Sequence, residues 1–141
     1  MCAERQDGLP LERCQFEERN AQEPLCRSDD ALLEVHITHL RHAMWANAGW
    51  LRSTTTLNAG LSKLDECETG IEHIAQQGKT SRRLAEGRAL CCVARAILKT
   101  ALAREESGGA HFRNDYPRRD DGRFQRHSAA GSDGTVRFEE W

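Results

Sequence analysis

The feature that most constrains the fold is a long amphipathic stretch that runs from about Ser81 to Glu106. Apolar residues recur there every three or four positions, and the other positions are rich in alanine, arginine and glutamate, which favour helix. The predicted apolar stripe consists of Leu84, Leu90, Val93 or Ala94, Ile97, Ala101 and Leu102. Because such a helix is marginal in water by itself, we expect other elements of the chain to cover this stripe.

An earlier segment has the same period. Its apolar positions are Leu33, Ile37, Leu40, Met44 and Ala48. We expect Asp29 or Asp30 to be the N-cap, because an aspartate side chain accepts hydrogen bonds from the free amides of the first turn. Gly49 is expected to end or bend this first helix.

A second helix is predicted between the other two. Ser53 is its expected N-cap, and its apolar positions are Leu57, Leu61, Leu64, Ile71 and Ile74. Gly60 and Gly70 lie inside the pattern and disfavour helix, since glycine loses the most backbone freedom. Gly78 is the expected stop.

The two ends of the chain differ from the helical part. Residues 1–28 contain Pro10 and Pro24 and few large apolar residues, so we expect a flexible lead-in. Near the C-terminus, "RFQRHS" and "TVRFEEW" flank the turn sequence "AAGSDG", which predicts a short β-hairpin supported by the bundle or by another element. We therefore expect an all-α fold: a three-helix antiparallel bundle over 29–121, followed by a short C-terminal β-hairpin within 122–141.

Composition limits the partners of the chain. Its 141 residues suit one domain, and the net charge of −2 gives no reason to expect nucleic acid or an anionic membrane as a partner. No apolar run approaches the length of a membrane span, and the first residues lack the apolar core of a secretory signal.

The six cysteines are best explained as reduced thiols of a cytoplasmic protein. They are Cys2, Cys14, Cys26, Cys67, Cys91 and Cys92. No C-x-x-C pair is present, so neither a disulfide framework nor a zinc site is indicated. Cys91 and Cys92 are adjacent in a predicted helix, so at least one of them should face the core.

Three further groups of residues are candidate sites with simpler explanations. His36, His39 and His42 lack a converging fourth ligand, which favours surface histidines over a metal site. The acidic residues of the second helix form a solvated face; they are Asp65, Glu66, Glu68 and Glu72. "QQGKT" is not a phosphate-binding loop, because His73 stands where the glycine is required. No catalytic, cofactor-binding or metal-binding residue is predicted in this chain.

The most distinctive segment is "AREESGGAHFRNDYPRRDD", residues 103–121, here called the docking stretch. Gly108 and Gly109 can adopt left-handed conformations and are expected to close the third helix. Pro117 enforces an extended backbone at Tyr116. An irregular loop would then present the charged residues of this segment, which are His111, Arg113, Asp115, Arg118, Arg119, Asp120 and Asp121. Such a loop is either solvated or a docking surface that bonds to the backbone or carboxylates of a neighbouring domain.

The order of these features carries a family resemblance. "LRHAMWANAGWLRSTTTLNAGLSKLDE" and then "LCCVARAILKTALAREESGGAHFRNDYPRRDD" resemble the C-terminal helical domain of the L-aspartate oxidase, succinate dehydrogenase and fumarate reductase flavoproteins. That family shows an Arg-Glu-Ser-Arg-Gly-Ala-His run followed by Arg-x-Asp-Tyr/Phe-Pro. The matching positions are Arg104, Glu106, Ser107, Gly108, Gly109, Ala110, His111, Arg113, Asp115, Tyr116 and Pro117. The likeness covers roughly 36–128 and is nearest to the L-aspartate oxidase branch, given the Met44-Trp45 pair and the compact spacing of the second and third helices.

This resemblance implies a role beside a flavin-binding domain, in cis or in trans. In the family, FAD lies in an N-terminal Rossmann-like domain, and a capping domain supplies most substrate-binding and proton-transfer residues. We expect neither here, because no G-x-G-x-x-G follows a strand. The implied docking residues are Arg104, Glu106, Ser107, His111, Arg113, Asp115, Tyr116, Arg118 and Asp120. Gly108 replaces a family arginine, which implies weaker docking or relaxed constraint.

The function implied by the resemblance is that of L-aspartate oxidase, which oxidises L-aspartate to iminoaspartate with FAD at the start of NAD biosynthesis. This chain would be its C-terminal domain, whether a fragment or stand-alone, and would bind no FAD and catalyse nothing alone. Two alternatives stay open: the same domain of a succinate dehydrogenase or fumarate reductase flavoprotein subunit, or a non-catalytic helical interaction module.

Overall fold

Three long helices form the body of the protein in a computed structural model that describes residues 25–77, 80–131 and 133–140. They are α1 (Arg27–Ala48), α2 (Thr54–Gln76) and α3 (Arg82–Ala103). The shorter elements are β1 (Leu51–Arg52), β2 (Phe112–Arg113), α4 (Asp121–Phe124), β3 (His127–Ala130) and β4 (Val136–Glu139). In the described part of the chain, no helix is long and apolar enough to cross a bilayer.

The three long helices share one apolar core. Its buried members are Leu33, Ile37, Leu40, Ala48, Leu57, Leu64, Cys67, Ile71, Ile74, Leu84, Cys91, Ala94, Leu98 and Ala101. Each fully buried leucine or isoleucine stabilises the fold by about 1.5–3 kcal/mol relative to an exposed one. The predicted bundle of three long helices with a hairpin near the C-terminus is confirmed.

Helix α1 begins earlier than the sequence indicated. Its N-cap position is Cys26, whose side chain makes no capping bond, and the predicted N-cap at Asp29 or Asp30 is wrong. Both aspartates lie in the first turn, where the helix dipole favours negative charge. Asp29 is buried and accepts a hydrogen bond from Cys26 Sγ at 3.0 Å. The helix ends at Gly49 as predicted, where a Cβ would lie 2.6 Å from the carbonyl oxygen of Trp45.

Helix α2 begins at the predicted N-cap. Ser53 Oγ accepts from the Thr56 amide at 3.1 Å, and Thr56 Oγ1 accepts from the Ser53 amide at 2.9 Å, which completes a capping box. Gly60 and Gly70 do not interrupt the helix. At both positions an added Cβ would come too close to a neighbouring side chain, Leu98 at Gly60 and His36 at Gly70. The helix ends at Gln76; the predicted stop, Gly78, lies outside the described residues.

The buried face of α3 differs from the predicted stripe. Its buried residues are Leu84, Gly87, Cys91, Ala94, Leu98 and Ala101. Of the two alternatives Val93 and Ala94, Ala94 is the buried one and Val93 is 56% exposed. The predicted member Ile97 is 42% exposed, and the helix ends at Ala103 before reaching Glu106. Small residues occupy the core face because α1 approaches it closely: a Cβ on Gly87 would lie 3.3 Å from Leu33.

Two small β-ribbons complete the fold. β1 pairs in parallel with β2, with Leu51 opposite Phe112, and this pairing was not predicted. β3 and β4 form the predicted antiparallel hairpin. Its turn contains Gly134 at φ +78°, a left-handed conformation that favours glycine. Phe124 was expected in the first strand but lies in α4, where it is buried.

Candidate docking interface

Arg113, the central arginine of the docking stretch, is buried inside the domain with 0% exposure. Its Nη1 donates to the carbonyl oxygens of Ala101 at 2.8 Å, Leu102 at 3.1 Å and Arg104 at 3.3 Å. These belong to the last turn and C-cap of α3, which have no intrahelical partners. The expectation that the loop presents Arg113 at the surface is therefore wrong, because its guanidinium donates to the carbonyls at the end of α3.

Asp115 joins this arginine to the start of α2. Its carboxylate receives a bidentate pair of bonds from Arg113, each 2.8 Å long. It also accepts from the amide and the hydroxyl of Thr54, both at 2.7 Å. The Arg113 guanidinium and these Thr54 bonds hold the pKa of Asp115 well below its usual range. The pair therefore links the end of α3 to the start of α2.

Ser107 and Glu106 shape the loop around that pair, and both are buried. Ser107 Oγ accepts from the Arg113 amide and donates to the Tyr116 carbonyl, each at 2.8 Å. Glu106 Oε2 accepts from the Asp120 amide at 2.8 Å. These side chains hold the stretch in one conformation by bonds to its own backbone.

Arg104 connects the bundle to the C-terminal hairpin. Its guanidinium donates to the carbonyls of Phe124 at 2.7 Å and Arg126 at 2.6 Å, and forms an ion pair with Glu106. It also lies 5.7 Å from the ring centres of Phe124 and Phe138, within the range of cation–π attraction. The hairpin is thus supported by the bundle, which was one of the two expected sources of support.

His111 contacts an arginine that sequence analysis did not single out. Arg52 Nη1 donates to His111 Nδ1 at 2.9 Å, while Arg52 Nε donates to the carbonyls of Ala48 and Gly49. Because an arginine only donates, Nδ1 is the acceptor and Nε2 carries the proton toward the Arg104 carbonyl at 3.1 Å. Burial, with the nearby arginines, lowers the pKa of His111. An arginine just after a helix-ending glycine was the available signal for Arg52.

The nine expected docking residues therefore differ in how far they are exposed. Arg104, Glu106, Ser107 and Arg113 point into the domain, and His111 is half-buried. Tyr116 and Arg118 are exposed, and Asp115 and Asp120 reach the surface while bonded to the domain. The α3 helix is closed by Arg113 and not by glycine; Gly109 has φ +56° but lies in the turn between Gly108 and His111. A docking role for the exposed residues stays a prediction.

The other sequence candidates have local partners. All four acidic residues of α2 pair with basic side chains: Asp65 and Glu68 with Arg95, Glu72 with Arg88, and Glu66 with Lys63. Among residues 25–77, 80–131 and 133–140, no three His, Cys, Asp or Glu side chains are placed to hold a metal ion. Cys67 and Cys91 are buried, and burial raises the pKa of Cys91 to about 11.

An apolar groove with a volume of about 640 Å³ lies between α1 and α3. Its buried lining includes Leu40, Ala48 and Ala94, and its exposed lining includes Trp45, Trp50, Val93 and Ile97. Trp45 and Trp50 are 74% and 77% exposed, and such contiguous apolar surface marks an interaction site. Arg41 and Arg52 also line the groove, and none of its described lining residues is acidic.

Comparison with known proteins gives a family match over most of the chain. Residues 37–140 match the family described as fumarate reductase flavoprotein C-term. An L-aspartate oxidase of Rhodospirillum rubrum is 43% identical over 101 residues, which cover 72% of this chain and 32% of that protein. Those of Pyrococcus furiosus and Acinetobacter baylyi are 39% and 32% identical over 82 and 89 residues, covering 58% and 63% of this chain.

The chain spans only a small part of these relatives, 14% of the Pyrococcus protein and 16% of the Acinetobacter protein. Among solved structures, E. coli quinol fumarate reductase FrdA, solved as a point mutant, has the same fold over this region. The TM-score is 0.64 at 21% identity, and the match covers 85% of this chain and 22% of FrdA.

Proposed function

Because the chain belongs to the family of fumarate reductase flavoprotein C-terminal domains, we propose that it is the helical C-terminal domain of an FAD-dependent enzyme of the L-aspartate oxidase type. That enzyme would oxidise L-aspartate to iminoaspartate at the start of NAD biosynthesis. The observation that carries the proposal is the match over residues 37–140, joined to relatives named L-aspartate oxidase at 32–43% identity.

The described residues do not fit a flavin site. Binding of a dinucleotide in this kind of enzyme needs a parallel sheet whose first strand leads into a glycine-rich turn and a helix N-terminus. Here the strands form two short ribbons of two strands each, and neither leads into such a turn. We therefore assign FAD to other regions of the flavoprotein and derive no chemical step from this chain.

The role of this domain is then structural and non-catalytic. The polar groups of the docking stretch support this, because Arg113, Ser107 and Glu106 bond to the domain's own backbone and are buried. The flavin-binding partner would contact the domain in cis or in trans. The division into a lead-in over 1–28, a bundle over 29–121 and a tail over 122–141 also stays a proposal.

A fusion tests the proposal with the full 141-residue chain. The Acinetobacter baylyi L-aspartate oxidase would be shortened by its matching C-terminal segment and then joined to this chain. We expect the shortened enzyme to lose FAD and L-aspartate-dependent activity, and the fusion to regain both. A fusion that stays as inactive and flavin-free as the shortened enzyme would overturn the proposal.

A second host separates the two enzyme types. The same replacement in E. coli FrdA, assayed for fumarate reduction, would test the alternative assignment to a fumarate reductase flavoprotein. We expect the chain to support the L-aspartate oxidase host and not the FrdA host, because FrdA is only 21% identical. Support of FrdA alone would transfer the assignment, and support of neither host would favour a free-standing interaction module.

A further inference from the structure

The groove between α1 and α3 has the chemistry of a protein contact rather than of a small polar ligand. Its exposed lining is aromatic and aliphatic, with Trp45 and Trp50 on the α1 side and Val93 and Ile97 on the α3 side. Exposed tryptophans of this kind are the residues that most often anchor protein interfaces. Neither tryptophan belongs to the apolar core of the described bundle.

The charges around the groove indicate which surface would cover it. Arg41 and Arg52 line it, and none of the described lining residues carries a carboxylate. A partner with an apolar element and an acidic side chain would complement it. A second copy of this chain would not, because a two-fold interface places each patch against itself and would bring the arginines of both copies together.

The groove also adjoins the docking stretch. Ala110, from the turn between Gly108 and His111, lines the groove, and Arg52 in its wall bonds to His111. The Pyrococcus and Acinetobacter relatives are about six or seven times longer than the segment they share with this chain. Under the proposed function, a large flavin-binding region in the same polypeptide or complex is therefore available as the partner.

We propose that this groove is the surface on which the flavin-binding region docks, through an apolar element that carries a carboxylate toward Arg41 and Arg52. This inference rests on the proposed function. The exposed tryptophans are the anchors, and the docking stretch contributes the edge of the contact while its buried side chains hold the loop in shape.

The test compares matched variants in two forms: within the active fusion, and as the free 141-residue chain titrated against the separately added shortened Acinetobacter enzyme. Val93→Ser lies in the groove, and Val35→Ser is the same change at an exposed position of α1 outside it. Trp45→Ser and Arg41→Glu probe the aromatic anchor and the charge. Hydroxyl-radical footprinting with mass spectrometry would report the reactivity of Trp45 and Trp50 individually, in the fusion and in the chain alone.

We expect Trp45 and Trp50 to react about tenfold more slowly in the fusion than in the free chain. Trp45→Ser and Val93→Ser should weaken association with the separately added shortened enzyme about tenfold or more, as loss of an interface anchor does. Val35→Ser should stay within about twofold of wild type. Arg41→Glu should weaken association most at low salt, where exposed charges are least screened.

The failures of the two proposals are distinguishable. An active, flavin-loaded fusion with fully reactive tryptophans, or with equal effects of Val93→Ser and Val35→Ser, would overturn the groove assignment and leave the proposed function intact. A wild-type fusion without flavin or activity would overturn both. Dimerisation of the free chain that protects Trp45 would assign the groove to a second copy and overturn the inference.

Discussion

The guanidinium of Arg113 and the carboxylate of Asp115 form a bidentate ion pair, with two N–O distances of 2.8 Å. Arg113 is fully buried, whereas Asp115 lies near the surface and bonds to Thr54 at the start of α2. A pair two residues apart in sequence thereby fixes the relative position of two helix ends. Through Arg113, the docking stretch is consequently part of the domain's internal framework.

Replacing Arg113 should strongly destabilise the fold. Arg113→Ala removes donors from three carbonyls at the end of α3, so we expect the free energy of unfolding to fall by about 3–5 kcal/mol. Arg113→Lys should recover only part of this, because one ammonium cannot reproduce the planar fork. Urea unfolding followed by circular dichroism measures both. Arg119→Ala, which breaks an exposed pair with Asp121, should change stability by about 1 kcal/mol or less; equal losses at both sites would contradict the assignment.

His111 should make stability fall as the pH drops below about 6.5, the ordinary pKa of histidine. Its folded pKa lies below the unfolded value of about 6.5, so its contribution is complete above that value and is lost as pH falls toward the folded pKa. His111→Gln keeps an acceptor for Arg52 and a donor for the Arg104 carbonyl but does not titrate. We expect this variant to have a smaller difference in unfolding free energy between pH 7.5 and 5.0. The exposed His39→Gln is the control, and an unchanged difference in His111→Gln would count against neutral His111.

Cys91 and Cys92 should react very differently despite being adjacent. Cys91 is buried and burial raises its pKa to about 11, whereas Cys92 is exposed. Because the thiolate is the reactive form, alkylation at pH 8 followed by peptide mapping should label Cys92 and leave Cys91 unmodified. In urea both should be labelled. Equal labelling of the folded protein would place Cys91 outside the core.

The elements that sequence predicted well depend on local chemistry. Ser53 was recognisable as an N-cap because a serine before a helical pattern satisfies free amides within three residues. The predicted N-cap of α1 was wrong because an aspartate near a helix start is favourable either as the cap or in the first turn, and Asp29 and Asp30 lie in the first turn. The turn around Gly134 was likewise readable from neighbouring residues alone.

The parts that sequence missed depend on distant neighbours. Val93 and Ile97 are larger and more apolar than Cys91 and Ala94, yet close helix approach puts the smaller residues in the core. Hydrophobicity alone could not decide which of two adjacent faces of α3 was buried. The face that carries Val93 and Ile97 is exposed and lines the groove. Arg113 looked exposed because arginine usually is, and only the end of α3 explains its burial.

Gly60 should tolerate alanine less well than Gly70, although both lie inside α2. A Cβ on Gly60 would lie 2.8 Å from the buried side chain of Leu98 and 3.1 Å from Asn47, which cannot easily move. At Gly70 the close neighbour is the His36 ring, which is half-buried and can rotate toward solvent. We expect Gly60→Ala to be at least about 1 kcal/mol less stable than Gly70→Ala in urea unfolding, since overpacking outweighs the gain in helix propensity. The reverse order would show that α2 and α3 can separate at this point.

Removing the Arg104 side chain should loosen the C-terminal hairpin without unfolding the bundle. Arg104→Ala deletes the bonds to the Phe124 and Arg126 carbonyls and the contacts with the Phe124 and Phe138 rings. Because a two-stranded hairpin is marginal without support, we expect amide exchange in β3 and β4 to accelerate about tenfold or more, while buried amides of α2 keep their protection.

Lys99→Ala is the matched control for this prediction, because Lys99 also joins α3 to the hairpin but does so through a single bond of 3.1 Å to the Gly134 carbonyl. Its effect on the exchange of β3 and β4 should be clearly smaller. Equal acceleration in α2 and in the hairpin of Arg104→Ala would mean that Arg104 holds the whole domain together. Unchanged exchange in β3 and β4 would mean that the ring contacts around Phe124 anchor the hairpin without the arginine.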